Sequence, residues 1–115
     1  MLLVEAEVSV MQRMAWILLE AGFVTARVES HDDADRTLIE YDPDVVVINN
    51  DLPEAVKRGC IDRFRYGRPR LRILDVHSAA YDASGAHDAG ADDVLHMPFD
   101  AEDLIGKVRD LARRA

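Results

Sequence analysis

Short apolar runs alternate along this chain with longer stretches in which apolar residues recur every three or four positions. Leu2, Leu3 and Val4 form a first run that stops at Glu5-Ala6-Glu7, which predicts a strand. Val10, Met14, Ile17 and Ala21 then follow helical spacing until Gly22. Residues 23–28 read as a second strand. Ser30-His31-Asp32-Asp33 has the form of a capping box, with Ala34, Leu38 and Tyr41 on the inward side of the helix it opens. Pro43-Asp44 breaks that helix before the strongest run of the chain, Val45-Val46-Val47-Ile48. Four apolar residues in a row, all of them β-branched, suit a strand buried on both faces.

The second half repeats the pattern. Pro53 leads into a helix whose expected inward face is Val56, Cys60, Ile61 and Phe64, ended by Gly67 and Pro69. Residues 71–76 predict a fourth strand, residues 79–89 a short helix interrupted by Gly85, and residues 93–96 a fifth strand. The last helix has Asp100 as N-cap, Asp103 reaching back, Phe99 stapled to Leu104, and Leu104, Val108 and Leu111 inward. Lys107, Arg109, Arg113 and Arg114 crowd its C-terminal half, where the helix dipole favours cations. Strands alternating with helices imply right-handed βαβ units. The expected fold class is therefore α/β, a three-layer, doubly wound, five-stranded parallel sheet in one domain over residues 1–115.

Composition narrows the function. A net charge of -8 argues against nucleic-acid binding by this segment. The single cysteine, Cys60, permits no internal disulfide and fits a reducing compartment. No signal peptide and no membrane-length apolar run are visible, so a cytoplasmic location is expected. In an open α/β sheet, chemistry gathers at the carboxyl ends of the strands. Here the central strand runs into Asn49-Asn50-Asp51, two amides and one carboxylate.

The chain resembles a receiver domain of two-component response regulators. The resemblance rests on Leu2-Leu3-Val4-Glu5, on Pro43 to Val47 with Pro53, and on Ala89-Gly90-Ala91-Asp92-Asp93 followed by Pro98-Phe99. It implies the flavodoxin-like strand order 2-1-3-4-5 and a cis bond at Met97-Pro98. A working receiver holds Mg²⁺ with two acids after the first strand and one aspartate after the third. That aspartate accepts the phosphoryl group, helped by a hydroxyl residue after the fourth strand and a lysine after the fifth. Carried over position by position, this chain departs from the pattern. The first acid matches Glu5, but the second is Ala6. The phosphoacceptor position falls on Asn49, fixed by its distances from Pro43 and Pro53. The hydroxyl position falls on His77, or on Asp75 or Ser78 if the register slips. The lysine position is Met97, and the aromatic switch position is Val94.

An amide oxygen is a poor nucleophile, and a site with Ala6 and Asn49 loses two of three metal carboxylates. The expected function is therefore a phosphorylation-independent pseudo-receiver, a non-enzymatic interaction or dimerisation module of a bacterial regulator. No cofactor and no metal are expected. A phosphoaccepting receiver using Asp51 stays open as an alternative, although the flanking prolines oppose the register shift it needs. So does a small-ligand or metal sensor in the vacated pocket, drawing on His77 and His96 near Glu5 or Asp51. The preferred reading of these rings is a pair of partly exposed edge histidines, with His96 on the sheet face opposite Met97. Cys60 is expected to be a small buried hydrophobe.

Candidate contact surfaces complete the reading. Met11, Ala15, Trp16 and Leu19 lie off the expected inward stripe of the first helix and suggest a docking patch for a protein partner. By resemblance, Asp92, Asp93, Asp103 and Lys107 match positions that pair across a symmetric homodimer face in one large subfamily. The resemblance also allows for an output domain in the full-length protein, while no membrane contact is expected.

Overall fold

The computed structural model describes residues 1–5, 7–49, 54–77 and 90–115. Five parallel strands form one sheet: β1 (Leu2–Glu5), β2 (Ala26–Val28), β3 (Val45–Asn49), β4 (Arg72–His77) and β5 (Asp93–His96). Their order is β2-β1-β3-β4-β5, the doubly wound flavodoxin-like arrangement. Four helices are found among the described residues: α1 (Val8–Glu20), α2 (His31–Tyr41), α3 (Glu54–Arg65) and α4 (Ala101–Arg114). The helix expected over residues 79–89 lies outside the described residues.

Alternation along the strands divides the core into two layers. Leu2, Val4, Val46, Ile48 and Ile73 face α2 and α3, where they meet Leu38, Ile61 and Phe64. Leu3, Val45, Val47, Leu74 and Val76 face the other way, onto Met14 and Leu18 of α1 and Leu104, Val108 and Leu111 of α4. Both faces of β3 are therefore covered, which is why its sequence is a continuous β-branched run.

Local chemistry sets the helix ends. The Ser30 hydroxyl accepts from the Asp33 backbone N–H at 3.2 Å at the start of α2. At α4 Asp100 and Asp103 stand in a capping-box arrangement, and the Asp103 carboxylate accepts from the Asp100 amide at 3.3 Å. Phe99 and Leu104 are buried together as the staple requires. Replacing Asp100 with alanine is expected to cost about 1 kcal/mol, measured by urea unfolding.

Three expectations need correction. The inward stripe of α1 is Met11, Met14 and Leu18, while Val10, Ile17 and Ala21 are at its margin. Two overlapping apolar stripes satisfy the same period. The observed rotation also lets the Arg13 guanidinium donate to the Phe99 carbonyl at 3.1 Å and sit 5.2 Å above the Phe99 ring. Met11 is 6% exposed, so it belongs to the core and not to a contact patch. On α3, Val56 is half exposed and the buried position beside it is Lys57. Tyr41 is partly exposed rather than inward, and its hydroxyl donates to the Val24 carbonyl at 3.3 Å.

Candidate functional site

Register brings the expected residues to one edge of the sheet. Glu5 pairs with Asn49, and Asn49 with Val76, at the carboxyl ends of β1, β3 and β4. His77 pairs with His96 at the ends of β4 and β5. The chain then turns, and the Met97 amide donates to the His77 carbonyl at 2.8 Å. Glu5, Asn49, His77 and Met97 therefore share the sheet edge where an open α/β fold places its chemistry. Ala6, Asp51 and Ser78 lie outside the described residues.

Glu5 is buried, and one of its carboxylate oxygens accepts from the Glu7 amide at 2.7 Å. Met97 packs against the α1 and α4 side of the core. It brings no cation to the position after β5. The Met97-Pro98 bond is cis.

The charge that sequence reasoning missed lies one layer down. The Lys57 ammonium faces Asp75 at 3.0 Å, and both side chains are essentially inaccessible to solvent, at 1% and 0%. His77 is also fully buried, with its Nε2 3.4 Å from the second Asp75 oxygen. Asp75 and His77 are two residues apart on β4 and point to the same side as Ile73, toward α3. Removing an ammonium and a carboxylate from water is costly unless they meet, so the pair ties α3 to β4.

This overturns the reading of two partly exposed histidines. His96 is exposed, but His77 is not. Their rings lie 5.8 Å apart, tilted by 31°. His96 does alternate to the face opposite Met97, yet it remains next to His77 and so next to the pocket edge. Among the described residues, no group of three His, Cys, Asp or Glu side chains is placed to hold a metal ion.

The sequence carried a signal for the buried pair. Lys57 stands three, four and seven positions before Cys60, Ile61 and Phe64, on the same stripe. Asp75 interrupts an apolar strand at an inward position. Each is unusual alone, and together they predict a buried partner.

Cys60 is buried as expected, and burial pushes its thiol pKa up, partly offset by Arg63. The folded state thus favours the protonated thiol. Its contribution to stability is present below the ordinary thiol range and declines as pH rises above it. Native Cys60 should react with a disulfide reagent at least about tenfold more slowly than the urea-unfolded chain, followed by absorbance at pH 8.

The candidate contact residues divide. Trp16 and Leu19 are 64% and 61% exposed. Lys107 pairs with Asp93 of its own chain at 3.1 Å. Asp92 accepts from Arg65 and from the Ile73 amide, both at 2.7 Å, stitching α3 and β4 to the turn before β5. Asp103 is occupied in the α4 cap. All four charged residues thus have an internal structural use.

Comparison with known proteins agrees with this geometry. The family model described as response regulator receiver domain matches residues 1–109. The transcriptional regulatory protein PhoP of Escherichia coli K12 is 30% identical over 97 residues, covering 83% of this chain and 44% of PhoP. The transcriptional regulatory protein DltR of Streptococcus agalactiae serotype III is 26% identical, covering 100% of this chain and 52% of DltR. The chain thus spans about half the length of these curated relatives. Among solved structures, NtrX from Brucella abortus superimposes with a TM-score of 0.86 at 24% identity, covering 97% of this chain and 26% of that one. The receiver domain of a LuxO-type repressor from Vibrio parahaemolyticus gives 0.83 at 20% identity, covering 98% and 88%. Sequence match, strand order and the position of the site converge: the chain belongs to the response regulator receiver domain family.

Proposed function

We propose that residues 1–115 form one phosphorylation-independent pseudo-receiver domain. In this reading it is a non-enzymatic module of a bacterial two-component-type regulator, acting in the cytoplasm through a protein partner or a second copy of itself. The observation that carries the reading is the residue at the carboxyl end of β3. Asn49 ends β3 and pairs with Glu5, and this reading takes it to stand where a working receiver has its aspartate. An amide does not form an acyl phosphate. Met97 supports the same reading, because a thioether offers no charge to transferring phosphoryl oxygens.

The Lys57–Asp75 pair adds a physical reason for a fixed state. It holds α3 against β4 by a contact internal to the chain. A switch element needs two arrangements of similar energy, and separating this pair in a low-dielectric interior is expensive. The domain then presents constant surfaces, and the output of a longer regulator depends on what binds them.

The test is incubation with acetyl phosphate and Mg²⁺ followed by intact-mass analysis. An unchanged mass is the expected result. A stable phosphoryl adduct mapped to Asp51 would favour the phosphoaccepting reading instead.

A further inference from the structure

We infer that Arg72 is a coupling residue: it makes the last turn of α4 depend on the contact between α3 and the turn before β5. Arg72 opens β4, where its amide donates to the Asp44 carbonyl at 3.0 Å. The sheet thus holds its backbone, and its side chain starts from a fixed point. From there the guanidinium reaches α4. Its Nη2 and Nε donate to the Arg114 carbonyl at 3.0 and 3.3 Å, across 42 positions of the chain. Its third nitrogen, Nη1, lies 3.8 Å from a carboxylate oxygen of Asp92.

The end of α4 needs such a donor. The last four carbonyls of a helix have no partner within it, and they carry the negative end of its dipole. The C-cap is Ala115, whose amide bonds back to the Ala112 carbonyl. The helix's own cations are turned elsewhere: Arg113 is exposed, and the Arg114 guanidinium faces Asp110 at 3.7 Å. The Arg114 carbonyl is met from β4 instead.

Asp92 supplies the coupling. One of its oxygens accepts from Arg65 of α3 and from the Ile73 amide, and the other faces Arg72. One carboxylate thus stands between two guanidiniums, and each of these serves a different helix. A guanidinium presents its donors in one rigid plane, so the carboxylate that faces Nη1 also orients Nε and Nη2. Without the carboxylate, Arg65 and Arg72 face each other as like charges and nothing aims Arg72 at α4. A lysine at position 72 would bring one point charge and could not hold carbonyl and carboxylate in a single plane. Arg72 stands at the amino end of β4, at the opposite end of the sheet from Asn49. The inference is therefore independent of the phosphorylation reading.

Amide hydrogen exchange of the full chain, followed by NMR, tests the coupling, with the amides of α1 as internal reference. Arg72→Met keeps the apolar stem and removes the guanidinium. It should speed exchange at the Ala112, Arg113 and Arg114 amides about fivefold and leave α1 unchanged. Asp92 has Arg65, Ile73 and Arg72 as partners rather than any group of α4. Asp92→Asn should nevertheless speed the same three amides about threefold. The double variant should be no faster than Arg72→Met, because both changes break one contact. The conservative Arg72→Lys should fall between the unaltered protein and Arg72→Met. Unchanged exchange in Arg72→Met overturns the proposal, and so does a double variant in which the two effects multiply. Acceleration spread equally over α1 and α4 also overturns it, since Arg72 would then serve overall stability alone.

Discussion

Lys57→Met should destabilise this domain by about 3–5 kcal/mol, because it leaves Asp75 ionised in the interior without the ammonium it faces. For a chain of this size the loss corresponds to a Tm lower by on the order of 15–30 °C. Asp75→Leu should cost a similar amount for the converse reason. The double variant Lys57→Met/Asp75→Leu should recover most of the loss, since an apolar pair of similar volume fills the space without a desolvation penalty. Urea unfolding of all four proteins closes the cycle, and the coupling should reach at least about 1 kcal/mol. Additive single losses would show that the two charges are independently solvated and that the pair does not tie α3 to β4. The double variant also bears on function. If the pair holds one state, freeing α3 should broaden the amide resonances of Ile61 and Phe64 even where stability is restored.

The same pair shows where sequence reasoning stops. The alternation of strands and helices and the α4 cap are legible from local signals, while the strand order follows from the family resemblance. Val45 to Ile48 can only be a strand covered on both faces, and Asp100 with Asp103 can only be a cap. Lys57 was not legible in the same way. A lysine on an apolar stripe is normally assigned to solvent, and the sequence pattern alone puts Val56 inward. Its ammonium meets Asp75, which arrives from a strand eighteen residues later. The α1 stripe failed for a related reason. Met11 and Val10 fit the period equally well, and the tertiary packing that buries Met11 is accompanied by Arg13 reaching Phe99 across 86 positions. Trp16 and Leu19 stay exposed under either rotation, so that part of the reading survived.

The two features combine into one mechanical picture. Helix α3 is anchored to β4 by Lys57 and Asp75, and to the turn before β5 by Arg65 and Asp92. Helix α1 is anchored to the start of α4 through Arg13 and Phe99. An apolar groove beside Trp16 lies against α1 and the edge strand, away from the α3 anchors.

Asn49→Asp alone should not restore phosphorylation. A carboxylate at the end of β3 supplies the nucleophile, but the reaction also needs a metal and a cation to hold the transferring phosphoryl group. Ala6 and Met97 supply neither. By the cost of removing single stabilising groups from other active sites, about 10²–10³-fold each, two missing groups should leave the single variant at least about 10⁴-fold slower than a fully restored site. The restored protein is Ala6→Asp/Asn49→Asp/Met97→Lys. Each protein is incubated with acetyl phosphate, with and without Mg²⁺, and followed by intact mass. The triple variant should gain a phosphoryl group only with Mg²⁺, and Asn49→Asp should stay unmodified. Labelling of the single variant at the rate of the triple would mean that other carboxylates, Asp51 foremost, already complete the metal site. The pocket would then be one substitution from activity.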